Sequence, residues 1–195
     1  MTPMSLHKRE LVKQVMEMQP AYNSLLERRG KEDLFIFNQL VLEVEKDKQN
    51  LAPFHKELCH FVQDDTNKKK LILIPRGHLK STLITIGYSL FRIVNDPNIR
   101  ILIMSATWQM AVDFLTEIKN HLERNEIISE LYPQIHEAAS VTARTEWAQD
   151  RITIKRNNIN IKGATVWASG IESNLVGSHP ELIILDDVVS RDNVS

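Results

Sequence analysis

Apolar positions at the start of the chain recur at steps of three and four. Leu11, Val15, Met18, Tyr22, Leu25 and Leu26 form one such stripe, the spacing of a single helix face. Pro20 falls inside it and predicts a division or kink, and Arg28-Arg29-Gly30-Lys31 reads as a helix end. Leu34, Phe37, Leu40, Val41 and Val44 open a second stripe. A third, short helix should start near Pro53 and carry Phe54, Leu58, Phe61 and Val62, with a polar loop from Asp64 to Lys70 behind it.

Beyond Lys70 the pattern changes. Leu71-Ile72-Leu73-Ile74 is a short unbroken apolar run, expected of a strand buried on both faces. Thr82 to Val94 is apolar nearly all round and predicts a central helix, stopped by Asn95-Asp96-Pro97-Asn98. Ile99 to Met104 predicts a second buried strand, and Ala111, Phe114, Leu115, Ile118 and Leu122 an amphipathic helix after it. Ile152, Ile154, Ile159 and Ile161 alternate on either side of Asn157-Asn158, which predicts a β-hairpin insertion with a tight turn. Thr165 to Ala168 and Leu182 to Leu185 supply two more strands. Buried strands alternating with helices predict an α/β fold with a mostly parallel central sheet flanked by helices. Residues 1–50 would form an N-terminal helical segment ahead of it, and residues 51–195 the α/β domain.

Composition adds boundaries rather than content. The 195 residues are 43% hydrophobic and 25% charged, with a formal net charge of -1, so a uniformly basic nucleic-acid binder is excluded while a local contact patch is not. A single cysteine, Cys59, excludes an internal disulfide framework and a multi-cysteine metal site. No apolar run reaches the ~18 residues of a membrane span, and the first ten residues lack a signal peptide's apolar segment. These features predict an unsecreted protein with no membrane partner.

Chemistry enters at Pro75-Arg76-Gly77-His78-Leu79-Lys80-Ser81-Thr82. This segment lies between a predicted strand and a predicted helix, where a phosphate-binding loop must sit. Backbone N–H groups would wrap the phosphates of ATP at the positive end of the helix. Lys80 would reach the terminal phosphates and the Ser81 hydroxyl would coordinate Mg²⁺. Aligned on Lys80 and Ser81, the usual GxxxxGK[ST] pattern asks for Gly at 74 and 79, where the chain has Ile74 and Leu79. Gly77 supplies the one evident backbone freedom. The partner signal is Leu182-Ile183-Ile184-Leu185-Asp186-Asp187, an apolar strand ending in two acids, the Walker B arrangement. Asp186 would hold Mg²⁺, and Asp187 would polarise the attacking water. Both signals fall at strand carboxyl ends, where open α/β sheets bind ligands. The strand predicted between them, Ile99 to Met104, indicates a P-loop NTPase of the additional-strand type.

The same residues resemble the large terminase subunit of tailed bacteriophages. The likeness is carried by the loop from Pro75 to Thr82 and by Gly177-Ser178-His179-Pro180-Glu181 running into the acidic strand. Pro53-Phe54-His55 upstream and Ser105-Ala106-Thr107 after the second strand are similar to the same family. It covers residues from about 50 onward, and variant loops with Pro-Arg-Gly before the Lys are typical of it. The resemblance implies an ATPase motor that drives double-stranded DNA into the procapsid as a homo-oligomeric ring, with a small terminase subunit and a portal protein as partners. It implies the cytoplasm of an infected bacterial host, or a prophage origin. Two other readings stand beside it: another nucleic-acid-stimulated ATPase of helicase-like kind, and an inactive nucleotide-binding or assembly fragment.

By the same resemblance Arg76 would contact the γ-phosphate, and Phe54 and His55 would sit against the adenine, although Phe54 reads equally well as core. Asp187 stands where many such motors carry Glu, so either Asp187 or a later acid is the base. Val176 occupies the place of an arginine that acts on a neighbour's ATP, leaving Arg144, Arg151 or Arg156 as substitutes, or none. Lys68-Lys69-Lys70 and Lys155-Arg156 are the local basic clusters available to DNA phosphates. Ser195 lies eight residues beyond Asp187. The additional strand that belongs between the two site-bearing strands, and a nuclease domain, would then lie outside these residues, so an N-terminal fragment with a gap in its sheet is expected.

Overall fold

The computed structural model describes residues 6–42, 51–173 and 179–188, with side chains described from Glu17 onward. The chain is α/β. Among the described residues it has seven α-helices, one π-helix and a five-stranded mixed sheet whose core is parallel.

Helix α1 (Leu6–Glu32) runs straight through Pro20 without the expected division, α2 spans Leu34–Val41, and α3 spans Pro53–Gln63. Asp33 starts α2 by accepting from the Phe35 and Ile36 amides at 2.8 and 3.3 Å, the usual role of an acidic N-cap. Leu11, Val15 and Val44 lie outside the residues whose side chains are described. Of the rest of the first stripe, Met18, Tyr22 and Leu25 are exposed, so it is not a buried face. Phe37, Asn38 and Val41 of α2 are buried instead, and Phe37 meets Phe91 edge-on with ring centroids 5.6 Å apart.

The central helix expected from Thr82 to Val94 is present in two parts. Ser81–Tyr88 is a π-helix and Ser89–Asn95 continues as α4. Thr82, Ile84, Thr85 and Ile86 crowd this stretch with β-branched side chains, which fit an α-turn poorly, and its turns are wider. Asn38, fully buried, donates its side-chain amide to the Leu83 carbonyl at 3.2 Å and so ties α2 to the π-helix. Gly87 allows that contact, because a β-carbon there would lie 2.0 Å from Asn38 Oδ1.

Strand β1 (Ile101–Ser105) is fully buried and lies at the parallel centre, between β4 (Val166–Gly170) and β5 (Leu182–Leu185). Two short strands, β2 (Glu146–Trp147) and β3 (Arg151–Thr153), extend the sheet antiparallel beyond β4, in the order β2-β3-β4-β1-β5. Helix α5 (Trp108–Arg124) packs Ala111, Leu115, Ile118 and Leu122 against this sheet, followed by α6 (Glu126–Leu131) and α7 (Pro133–Ala138).

Two strand expectations also fail. The β-hairpin does not form around Asn157-Asn158: Ile159 is 92% exposed outside any strand, while Ile152 pairs with Trp147 on one side and Val166 on the other. Alternation across residues 152–161 therefore reflected only one real strand, fixed by its neighbours rather than by the local turn. Leu71 to Ile74 is not a strand either, and Leu71 and Leu73 are 80% and 83% exposed. A strand exists only where another backbone completes its ladder. Across from this segment lies the outer edge of β5, with a cleft of about 420 Å³ between them, walled by Leu71 and Ile72 on one side and Ile183 and Leu185 on the other.

Gly87→Ala should lower stability by about 1–3 kcal/mol, the usual cost of overpacking a filled interior. Thermal or denaturant unfolding of the variant measures it, and an unchanged midpoint would contradict the close approach of α2 to the π-helix.

Candidate functional site

Residues 75–82 turn from the extended segment into the π-helix, and two backbone features shape the turn. Gly77 has φ +79° and Leu79 has φ +58°. Leu79 is one of the two positions where the usual phosphate loop carries Gly, so the chain keeps a Gly-type backbone with a residue that adopts it at a cost of roughly 1–2 kcal/mol. Its side chain packs against the hydrophobic core, which offsets that cost.

Lys80 and the strand-end acids meet. Lys80 Nζ lies 2.8 Å from Asp186 Oδ1 and 2.8 Å from Asp187 Oδ1, groups 107 residues apart in the case of Asp187. Asp186 is 2% exposed and Asp187 largely open. The Thr85 hydroxyl donates to Asp186 Oδ2 at 2.7 Å, and the Ser81 hydroxyl lies close enough to help stabilise the carboxylate's charge. Burial alone would raise the Asp186 pKa. The donor groups of Lys80, Ser81 and Thr85 and the charge of Lys80 outweigh it, and hold the carboxyl below the usual carboxylate range. Conversely, partial burial acts to lower the Lys80 pKa, but the two carboxylates overcome it and raise the ammonium. Asp187 has φ +48°, a backbone strain of the sort found at functional sites.

The backbone of the acid pair is fixed from β1. Ser105 Oγ donates to the Asp186 carbonyl at 2.7 Å, and the Ala106 amide to the Asp187 carbonyl at 3.3 Å. Thr107 then caps α5 by accepting from the Met110 amide at 3.2 Å. The segment 105–107 noted in the sequence is thus part of the site's frame.

His55 is nine-tenths buried or more and is used up locally. Its Nδ1 accepts from the Ala52 amide at 2.8 Å, which puts the ring proton on Nε2, 3.3 Å from the His78 carbonyl it can donate to. His55 therefore holds the loop instead of facing outward. Phe54 stacks on His55 with centroids 3.9 Å apart and lies 5.7 Å from the His78 ring, half-buried beside the loop. Pro75, Arg76, Gly77 and His78 are exposed, Thr82 and Leu79 half-buried.

The candidate trans-acting arginines are tied down unequally. Arg144 pairs with Glu123 at 2.5 Å and covers the Trp147 ring at 4.3 Å. Arg156 donates to the Ile161 carbonyl at 2.8 Å, and burial with Arg100 nearby lowers its pKa. Arg151, half-exposed, pairs with Asp150 and Glu146 at 3.2 and 3.9 Å. Val176, Gly177 and Ser178 lie outside the described residues. In the first basic cluster Lys70 is bound to the carbonyls of Val62 and Asp64, and Lys68 stays exposed beside Asp65.

Sequence reasoning missed Thr85. Its signal was available, since Thr85 is four residues after Ser81 on a continuous helix and so shares its face. As for a metal, no cluster of three or more His, Cys, Asp and Glu occurs among the described residues. The oxygens here that could hold a divalent ion are the Ser81 hydroxyl and Asp186 Oδ1, which is buried without an aligned hydrogen bond. No described helix is long and apolar enough to cross a membrane. No protein-family model matches the chain, and no curated protein matches it either.

Gly77→Ala should cost about 1–2 kcal/mol, even though a β-carbon there would touch nothing within 4 Å. Leu79→Gly should stay within about 1 kcal/mol of the parent, because backbone relief offsets lost packing. Denaturant unfolding of both variants tests the positive-φ turn; a large loss for Leu79→Gly would show that packing alone sets this position.

Proposed function

We propose that the chain is an ATP hydrolase with a P-loop of the additional-strand type, and that it serves as the motor domain of a phage terminase large subunit. The observation that carries the reading is the meeting of Lys80 with Asp186 and Asp187. A phosphate-loop lysine and a strand-end acid pair, each chosen from sequence alone, converge within ion-pair distance. The packaging role rests on the resemblance of residues 75–82 and 177–187. Double-stranded DNA, the small subunit and the portal protein are its corresponding partners.

In this reading the loop amides from Gly77 to Ser81 receive the phosphates of ATP, helped by the N-terminal end of the helix. Lys80 turns from the two carboxylates to the terminal phosphates, exchanging one anionic partner for another. Its gain is therefore the difference between two ion pairs, which favours phosphate only while the acids have something else to bind. Ser81 and Asp186 would hold Mg²⁺, which when bound would give the acids that alternative partner and neutralise charge on the phosphates. Arg76, exposed at the loop's mouth, is free to reach the γ-phosphate. Asp187, released from Lys80, faces solvent and polarises the attacking water. Phe54 offers its ring to the base, with His55 fixing the loop behind it.

Lys80→Ala should abolish turnover, by ~100-fold or more for a lost transition-state contact. Steady-state phosphate release, with circular dichroism to check folding, measures it; turnover within about threefold of the parent would sink the phosphate-loop assignment. Asp186→Asn should weaken Mg²⁺-dependent nucleotide binding, whereas Asp187→Asn should spare binding and lower kcat, since the second acid acts only as water attacks. Comparing nucleotide affinity with turnover separates the two, and normal turnover by Asp187→Asn would assign the base elsewhere.

A further inference from the structure

The contacts around Asp186 leave one carboxylate oxygen unassigned, and a residue on the π-helix decides which. Thr85 is 1% exposed, and its hydroxyl gives its single proton to Asp186 Oδ2 at 2.7 Å. An O–H to carboxylate bond of this length in a dry setting is charge-assisted and directional. Ser89, fully buried, donates to the Thr85 carbonyl at 2.6 Å, so the helix backbone that carries Thr85 is itself held. On the opposite side Ser105 Oγ holds the Asp186 carbonyl at 2.7 Å. Asp186 is thus fixed at its backbone and at one oxygen. Only Oδ1 remains, 2.8 Å from Lys80 Nζ and without an aligned hydrogen bond. Rotation of the carboxylate would move the Thr85-bound oxygen toward the loop and strand the hydroxyl in a buried site, where an unmet donor is costly.

We infer that Thr85 is a positioning residue: it fixes the Asp186 carboxylate so that Oδ1 faces Lys80, the neighbour of Ser81, and thereby sets the affinity of the site for a divalent cation. This inference rests on the ATPase reading, since it takes Asp186 and Ser81 as the cation's protein contacts. Thr85 touches neither nucleotide nor cation and acts only through Asp186. Its hydroxyl does for the first acid what an outer hydrogen-bond partner does for a metal-bound side chain: it removes rotational freedom the ligand would otherwise lose on binding.

The test uses the chain with Thr85→Val, which keeps the shape and removes the donor, and Thr85→Ser, which keeps the donor. Binding of a fluorescent ATP analogue is followed in EDTA and across a Mg²⁺ titration, with melting temperatures alongside. Thr85→Val should need about tenfold more Mg²⁺ for half-maximal tightening, the scale of one hydrogen bond to a charged group. Thr85→Ser should stay within about twofold of the parent, and affinity in EDTA should change by less than about twofold in both. If Thr85→Val does not fold, Thr85→Ala loses the same donor without added bulk and carries the comparison. A purely structural role would lower the melting temperature and leave the Mg²⁺ midpoint where it was, which overturns the inference alone. A parent with no Mg²⁺-dependent nucleotide binding overturns the ATPase reading, and the inference with it.

Discussion

An aspartate carboxylate that is 2% exposed has to be answered by charge or hydrogen bonds, and the way Asp186 is answered organises this molecule. Leaving a carboxylate buried without partners would cost several kcal/mol, or would protonate it. Here Lys80 arrives from the loop, Thr85 and Ser81 from the π-helix, and Ser105 from β1 through the main chain. Three separate stretches of chain, residues 80–85, β1 and β5, must therefore be in register before the site is complete. The parallel pairing of β1 with β5 sets that register, bringing Met104 opposite Leu185 immediately before the acids.

The loop meets the same demand with strained parts. Leu79 and Asp187 both hold positive φ values, conformations that non-glycine residues adopt only when surrounding structure over-determines them. For Leu79 the determinant is packing against the core; for Asp187 it is the Ala106 amide and the Lys80 ammonium. Leu79 thus holds a left-handed backbone that glycine would adopt without cost. His55 supports the loop from below by its bond to the His78 carbonyl.

Much of this was legible from one-dimensional pattern. Helices α2, α3 and α5 and strands β1, β4 and β5 follow from apolar spacing, because burial on one face or two leaves a period in the sequence. The loop and the acid pair were legible too, since each needs particular residue types at strand ends. Pro20 does not divide its helix: α1 continues across it. The alternation from Ile152 to Ile161 was misleading, for Ile159 turned out almost fully exposed.

What the sequence by itself determined was the inventory: an α/β chain, a lysine and hydroxyl at a turn into a helix, and two acids at the end of an apolar strand. Tertiary structure alone decided the partnerships. Leu71 to Ile74 has the composition of a strand but no ladder partner among the described residues, and composition cannot supply one. Thr85 has the composition of an ordinary helix threonine, and only the approach of β5 to the π-helix turns it toward Asp186. Local pattern encodes what a segment buries; which groups that burial brings within 3 Å depends on contacts about a hundred residues away, such as the 101 separating Thr85 from Asp186.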